Sequence, residues 1–199
     1  MSRRVAVLVA VVALALACAT SGPALTSSWR APETQRLQFH RAMTSFVTTD
    51  SGLRRSVEDR MATRIPGSFP AYSAVPNLSL TNAARAREQL RGKLFDGAVV
   101  VRVIDVGDGK VLPPGQGWYS AYPDFASYWS DAWKGEKART SPAATTGVAV
   151  EVVIYTLGND QLVWAGRTEP TTGSRSVEEL VDRSVDVVMK ELRTARLIR

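Results

Sequence analysis

Ala98-Val99-Val100-Val101-Arg102-Val103-Ile104-Asp105-Val106, entered through Asp96-Gly97, is the stretch on which the fold of this chain turns. Six of its nine residues are β-branched, a class stiff at χ1 that packs well on a pleated surface. A strand with one wet face alternates apolar and polar residues; this one scarcely alternates, so it is expected to be a central strand covered on both sides.

Upstream of it, Phe39, Arg41, Met43, Ser45 and Val47 recur at period two and predict a first strand within 39–48. Between 51 and 65, Leu53, Val57, Met61 and Ile65 return every four residues among charged neighbours, as in an amphipathic helix capped by Asp50 or Ser51 and closed by Pro66-Gly67. Residues 68–76 read as a short strand that two prolines confine to an edge. A second helix runs from Thr81 or Asn82 to Leu94, with Ala83, Ala86, Leu90 and Leu94 turned inward.

Downstream, Gly and Pro break the rhythm over 107–144, too long for an ordinary connection, so this segment reads as an insertion with a role. Strands at 145–157 and 161–168 meet at Gly158-Asn159-Asp160 as a hairpin. A last helix spans Ser176–Arg193, where Ser176 and Glu179 have capping-box spacing. The expectation is a single α/β domain: a mixed sheet of about five strands with three helices, in the order βαβαβ, aromatic insertion, ββα.

The amino end is of a different kind. Arg3 and Arg4, an apolar run from Val5 to Leu16, and Ala17 read as a signal peptide over 1–17. The run is shorter than the roughly 20 residues a membrane-spanning helix needs. Ala15-Leu16-Ala17-Cys18 resembles the lipobox of bacterial lipoproteins, which implies acylation, palmitate included, at Cys18, the only cysteine of the chain. Ala19, by resemblance to lipoprotein sorting rules, implies a periplasm-facing protein of the Gram-negative outer membrane. Residues 18–38 are then expected to be the lipidated cysteine and a flexible Ser/Thr/Gly/Pro tether, and 39–199 the domain. Losing Arg3 and Arg4 with the leader lowers the formal charge from +6 to +4, with arginines scattered among acids and no basic block. No nucleic-acid partner is expected.

Several segments resemble a group of uncharacterised Gram-negative lipoproteins, a domain of unknown function: Ser28-Trp29-Arg30-Ala31-Pro32, Leu53-Arg54-Arg55-Ser56-Val57-Glu58-Asp59, Phe95-Asp96-Gly97-Ala98-Val99, Leu162-Val163-Trp164-Ala165-Gly166 and Glu191-Leu192. At fold level that group is similar to the TolB amino-terminal domain, the penicillin-binding-protein activator lipoproteins and the curli secretion lipoprotein. The resemblance implies envelope assembly or partner binding and carries no assigned chemistry.

Residues able to do chemistry are sparse. His40 is the single histidine, and the single thiol is assigned to lipid, so neither a Ser-His-Asp nor a Cys-His arrangement is indicated. Asp105, Asp108 and Asp124 lack the spacing of a calcium loop, so no metal and no cofactor are expected. Glu58-Asp59 and Glu178-Glu179 are adjacent on helices and splay about 100° apart, which reads as surface and cap. Gly107-Asp108-Gly109 and Gly115-Gln116-Gly117 read as turns.

The exception is 118–133, where Trp118, Tyr119, Tyr122, Phe125, Tyr128, Trp129 and Trp133 are seven of the fifteen aromatic residues. Two readings stand: a flap folded onto the sheet as core, or a partly exposed platform for a partner. The expectation is a non-enzymatic module held at the membrane by its lipid, with an envelope protein or peptidoglycan as partner. A self-assembling or peptidoglycan-associated structural lipoprotein, using the 69–75 edge, is the alternative.

Overall fold

A computed structural model of the chain describes residues 23–105, 117–138, 148–170 and 176–198. Cys18, the leader and the turn residues 107–109 and 115–116 lie outside the described residues. In chain order the elements are β1 (Leu25–Arg30), β2 (Ala42–Val47), α1 (Ser51–Arg64), β3 (Ser68–Pro70), α2 (Ala71–Ala74), α3 (Ala83–Gly92), β4 (Gly97–Asp105), a 3-10 turn (Trp118–Ala121), α4 (Phe125–Ala138), β5 (Val148–Thr156), β6 (Gln161–Thr168) and α5 (Val177–Thr194). The chain is a mixed α/β domain with a sheet of order β1-β6-β5-β4-β2-β3.

The apolar run sits where its composition demands. β4 pairs with β2 in parallel and with β5 antiparallel, and its successive side chains feed two cores. Ala98 and Val100 join the cluster under α2, α3 and α4. Val99 and Val101 join the cluster under α1 and α5. The chain passes from β2 out to β3 and back across β2 to β4, so the direction of winding reverses between β2 and β4.

Helix starts follow the expected chemistry. The Asp50 side chain accepts from Gly52 N and Leu53 N, the Asn82 side chain from Arg85 N, and Ser176 Oγ from Glu179 N. Asp160, in the turn joining β5 to β6, has φ 58° and accepts from Phe125 N, fixing the first residue of α4. Trp164 folds its ring over Gly166, where an added Cβ would stand 2.2 Å from the indole. A larger residue two places along the strand would displace that ring.

Four expectations are corrected. Leu25–Arg30, expected within a tether, is a sixth strand that covers the β6 edge, pairing Leu25 with Thr168 and Arg30 with Trp164. A bulge between Leu25 and Ser27 turns Leu25 to one core while Trp29 packs on the other. The strand expected over 68–76 is only β3, because Pro70 has no N–H to continue the ladder and the chain turns into α2. Leu94, expected inward, is 81% exposed with φ 61°: the helix has ended, Phe95 N returns to Leu90 O, and the Phe95 ring takes the buried place. The fourth concerns number: among the described residues six strands and five α-helices form, because α2 arises in the segment expected as an edge strand and α4 in the insertion.

Candidate functional site

The aromatic segment divides in two. Phe125, Tyr128, Trp129 and Trp133 lie on one face of α4 and are buried against the sheet, so these rings form core and offer no platform. Trp129 Nε1 donates to Ser79 O at 2.9 Å, and Phe125 and Trp129 pack at 5.2 Å between ring centres. Trp118, Tyr119 and Tyr122 are only partly buried. Tyr119 stacks on Trp29 of β1 at 4.8 Å and 23°, and Trp118 meets Tyr119 edge-on at 6.1 Å. Trp118 Nε1 donates to Ser27 Oγ at 3.2 Å. β1, expected as tether, thus supplies Trp29 and Ser27 to this surface.

Beneath these rings lies a row of charges for which the sequence reading had no place. Pairing sets Arg102 of β4 opposite Glu151 of β5, Glu151 opposite Arg167 of β6, and Arg167 opposite Ser27 of β1. Glu151 is 0% exposed. Its two oxygens accept from Arg102 Nε at 2.6 Å, from Arg167 Nε and Nη2 at 3.1 and 2.5 Å, and from the Tyr128 hydroxyl at 3.0 Å. Arg102 also reaches Asp131 at 2.9 Å and the Tyr122 hydroxyl at 3.3 Å, and that hydroxyl donates to Asp131 at 2.6 Å. Each guanidinium lies near aromatic faces, Arg102 at 4.9 Å from the Tyr128 ring and Arg167 at 4.4 Å from that of Trp118.

The electrostatics are those of a lock. Burial, reinforced by the Glu151 charge, pushes the Tyr128 hydroxyl well above its ordinary value and keeps it a neutral donor. Burial opposes the charge on Asp131, but the bonds from Tyr122 and Arg102 outweigh it and hold that carboxyl below the ordinary value. With four donors on two oxygens, Glu151 fixes β4, β5, β6 and α4 together. A signal existed in the sequence: Glu151 and Arg167 are the only charges in their strands, and opposite charges at facing positions of a hairpin imply a cross-strand pair.

The other flagged residues are placed as follows. His40 is exposed, and its backbone N–H donates to Asp96. Asp124 accepts from Ser127 N and caps α4; Asp108 is outside the described residues. Asp59 is exposed and accepts from the Tyr72 hydroxyl. Glu58 departs from the expected surface role, being wholly buried. It accepts from Phe46 N, Tyr72 N and Arg54 Nε, which ties α1 to β2 and α2. Burial pushes its carboxyl up, against the lowering effect of Arg54 and the two N–H groups. Glu178 accepts from Ser56 Oγ and Arg60, linking α5 to α1. Among the described residues, no three His, Cys, Asp or Glu gather as metal ligands, and no helix is long and apolar enough to cross a membrane.

No protein-family model and no curated protein matches the chain. Among solved structures it is similar to the PelC dodecamer of Paraburkholderia phytofirmans, at 13% identity over 87% of this chain and 96% of that one, with a TM-score of 0.43. A methionine-substituted variant of the same dodecamer gives 14% identity over 89% and 98%, with a TM-score of 0.41. These neighbours overturn the resemblance to the TolB amino-terminal domain and the penicillin-binding-protein activator lipoproteins.

Proposed function

We propose that this chain is an outer-membrane lipoprotein, acylated at Cys18, whose domain binds an envelope protein without transforming it. The contact surface is Trp118, Tyr119 and Trp29 with the Arg167 guanidinium beneath them. The observation that carries this reading is the part-exposed stack of Trp29 on Tyr119 with Trp118 over Arg167. Trp, Tyr and Arg dominate the energetic centres of protein interfaces, because flat rings bring large apolar area at little entropic cost and each keeps a polar tip. The cross-strand row under the rings holds Arg167, and with it Trp118, in place before a partner arrives.

Chain length adds support. Leu25 follows Cys18 by seven positions, a reach of at most about 25 Å. β1 starts at the end of the sheet where β4 finishes. An acylated Cys18 therefore holds that end of the domain near its leaflet, and several acyl chains make the attachment stable.

Two experiments test the reading. Radiolabelled palmitate should enter the wild-type protein and not Cys18→Ser. Trp118→Ala should lose the partner recovered by crosslinking from native envelopes while circular dichroism shows it folded, its stability lowered only by the lost Ser27 bond and Arg167 contact. An unchanged crosslinking pattern refutes the assignment. Tyr122→Ala is a poor probe, because its hydroxyl belongs to the Asp131–Arg102 network.

A specific observation favours self-assembly as a second reading. Among the described residues β1 ends the sheet and its outer backbone groups have no strand partner, a template for a second copy. The 69–75 edge expected for that role is blunted by Pro70. Concentration-dependent sedimentation abolished by a proline at Ser28 would support it.

A further inference from the structure

In open α/β sheets ligands favour the crevice outside the carboxyl ends of the strands where the winding reverses. Here that point lies between β2 and β4. A cavity of about 370 Å³ opens beyond the end of β2, walled by the first turn of α1, by α2 and by α4, within the range of small-molecule sites. Among the described residues its lining carries three cations, Arg54, Arg55 and Lys137, and no carboxylate. Thr48, Thr49 and Ser51 add hydroxyls, and Tyr72 and Trp133 add flat apolar walls.

Four carboxylates border this lining, and each is already engaged, three of them by lining residues. Asp50 caps α1, Glu58 is held by backbone N–H groups and Arg54 Nε, Asp59 takes the Tyr72 hydroxyl, and Glu136 accepts from Thr49 N. Among the described residues Arg55 and Lys137 have no ion-pair partner, although Arg55 lies 5.6 Å from the Tyr72 ring. Trp133, 2% exposed, keeps an indole Nε1–H without an acceptor among the described residues.

From this we infer that the cavity is an oxyanion site for a phosphate group, with Arg55 and Lys137 as its principal ligands and the hydroxyls of Thr48, Thr49 and Ser51 as further donors. Arg54 is already paired with Glu58, but Arg55 and Lys137 flank the same opening without an ion-pair partner among the described residues, and a phosphate supplies the acceptors their N–H groups lack. Phosphate occurs on a phospholipid headgroup and on soluble esters. β1, whose first residue follows Cys18 by seven, begins at this same end of the sheet. The headgroup source alone rests on the acylation proposed above; the phosphate chemistry does not.

The test uses the mature acylated protein in a neutral detergent, titrated with inorganic phosphate and with glycerol 3-phosphate against sodium chloride of equal ionic strength. Tryptophan emission and thermal unfolding are the readouts. Phosphate should give a saturable change that chloride does not, and Arg55→Gln/Lys137→Gln should weaken it at least tenfold. Lys134→Gln, on the same helix outside the lining, should leave it unchanged. Lys137→Gln alone provides the reading if the double variant misfolds by circular dichroism. Protein in phosphatidylglycerol vesicles with the same emission change, absent in phosphatidylcholine, identifies the headgroup; a response to the soluble esters alone identifies a soluble source. Equal effects of chloride and phosphate, or undiminished binding by the double variant, overturn the proposal. So does saturable binding lost in Lys134→Gln instead. Palmitate labelling at Cys18 reports on the anchor separately, so either idea can fail alone.

Discussion

Replacing Glu151 by Gln changes one buried atom and removes the charge that two guanidiniums share. In the native protein Glu151 is fully buried, and the Arg102 and Arg167 side chains are 17% and 13% exposed, so solvent screens the pairs only weakly. A unit pair about 4 Å apart at an effective dielectric of 20 is worth about 4 kcal/mol, and breaking one partner out of a buried pair costs about 3–5 kcal/mol. Arg102 keeps Asp131, whereas no other carboxylate is paired with Arg167 among the described residues. Glu151→Gln should therefore cost about 3–4 kcal/mol, the lower part of that range. For a domain of this size that lowers the melting temperature by about 6–16 °C. Urea unfolding of the mature protein, followed by far-ultraviolet dichroism and tryptophan emission, measures it. Asp131→Asn is the internal comparison: its carboxylate is half exposed and should cost less than about 1 kcal/mol. A Glu151→Gln variant within about 1 kcal/mol of wild type, or an Asp131→Asn variant that costs as much, refutes the claim that the buried row locks strands and α4 together.

Two further outcomes follow from buried or strained groups. The Glu58 carboxyl is raised above its ordinary value of 4.5, so its protonated form is favoured by folding. That contribution is complete below pH 4.5 and disappears as pH rises through the raised value. The stability of wild type relative to Glu58→Gln should therefore increase as pH is lowered from 7 towards 4.5; urea midpoints with a pH-independent difference would contradict this. Gly67 has φ +75°, and a Cβ there would stand 2.8 Å from Phe39 O. Gly67→Ala should cost about 2 kcal/mol, whereas Gly158→Ala, with open space around it, should change calorimetric unfolding little; equal effects at the two sites would count against the strain.

The sequence by itself determined the α/β class and the buried place of β4, because a nearly unbroken β-branched run has no stable position except between two covered faces. It also determined the Ser176 cap and the β5–β6 hairpin, and narrowed the other two caps to Asp50 or Ser51 and Thr81 or Asn82, of which Asp50 and Asn82 form, since caps and tight turns are satisfied by residues close in the chain. Which aromatics would be buried was legible only as a cluster. The division of Phe125, Tyr128, Trp129 and Trp133 from Trp118, Tyr119 and Tyr122 depends on which face of α4 meets the sheet. β1 is not legible in the sequence, because Ser and Thr make a weak pattern until the β6 edge offers partners and Tyr119 covers Trp29. The Glu151–Arg167 pair was legible in the hairpin, but the addition of Arg102 to it and the cation-lined cavity beyond β2 were decided by tertiary structure alone. Their members lie far apart in the chain, and only strand register and helix placement bring such charges within a few ångströms.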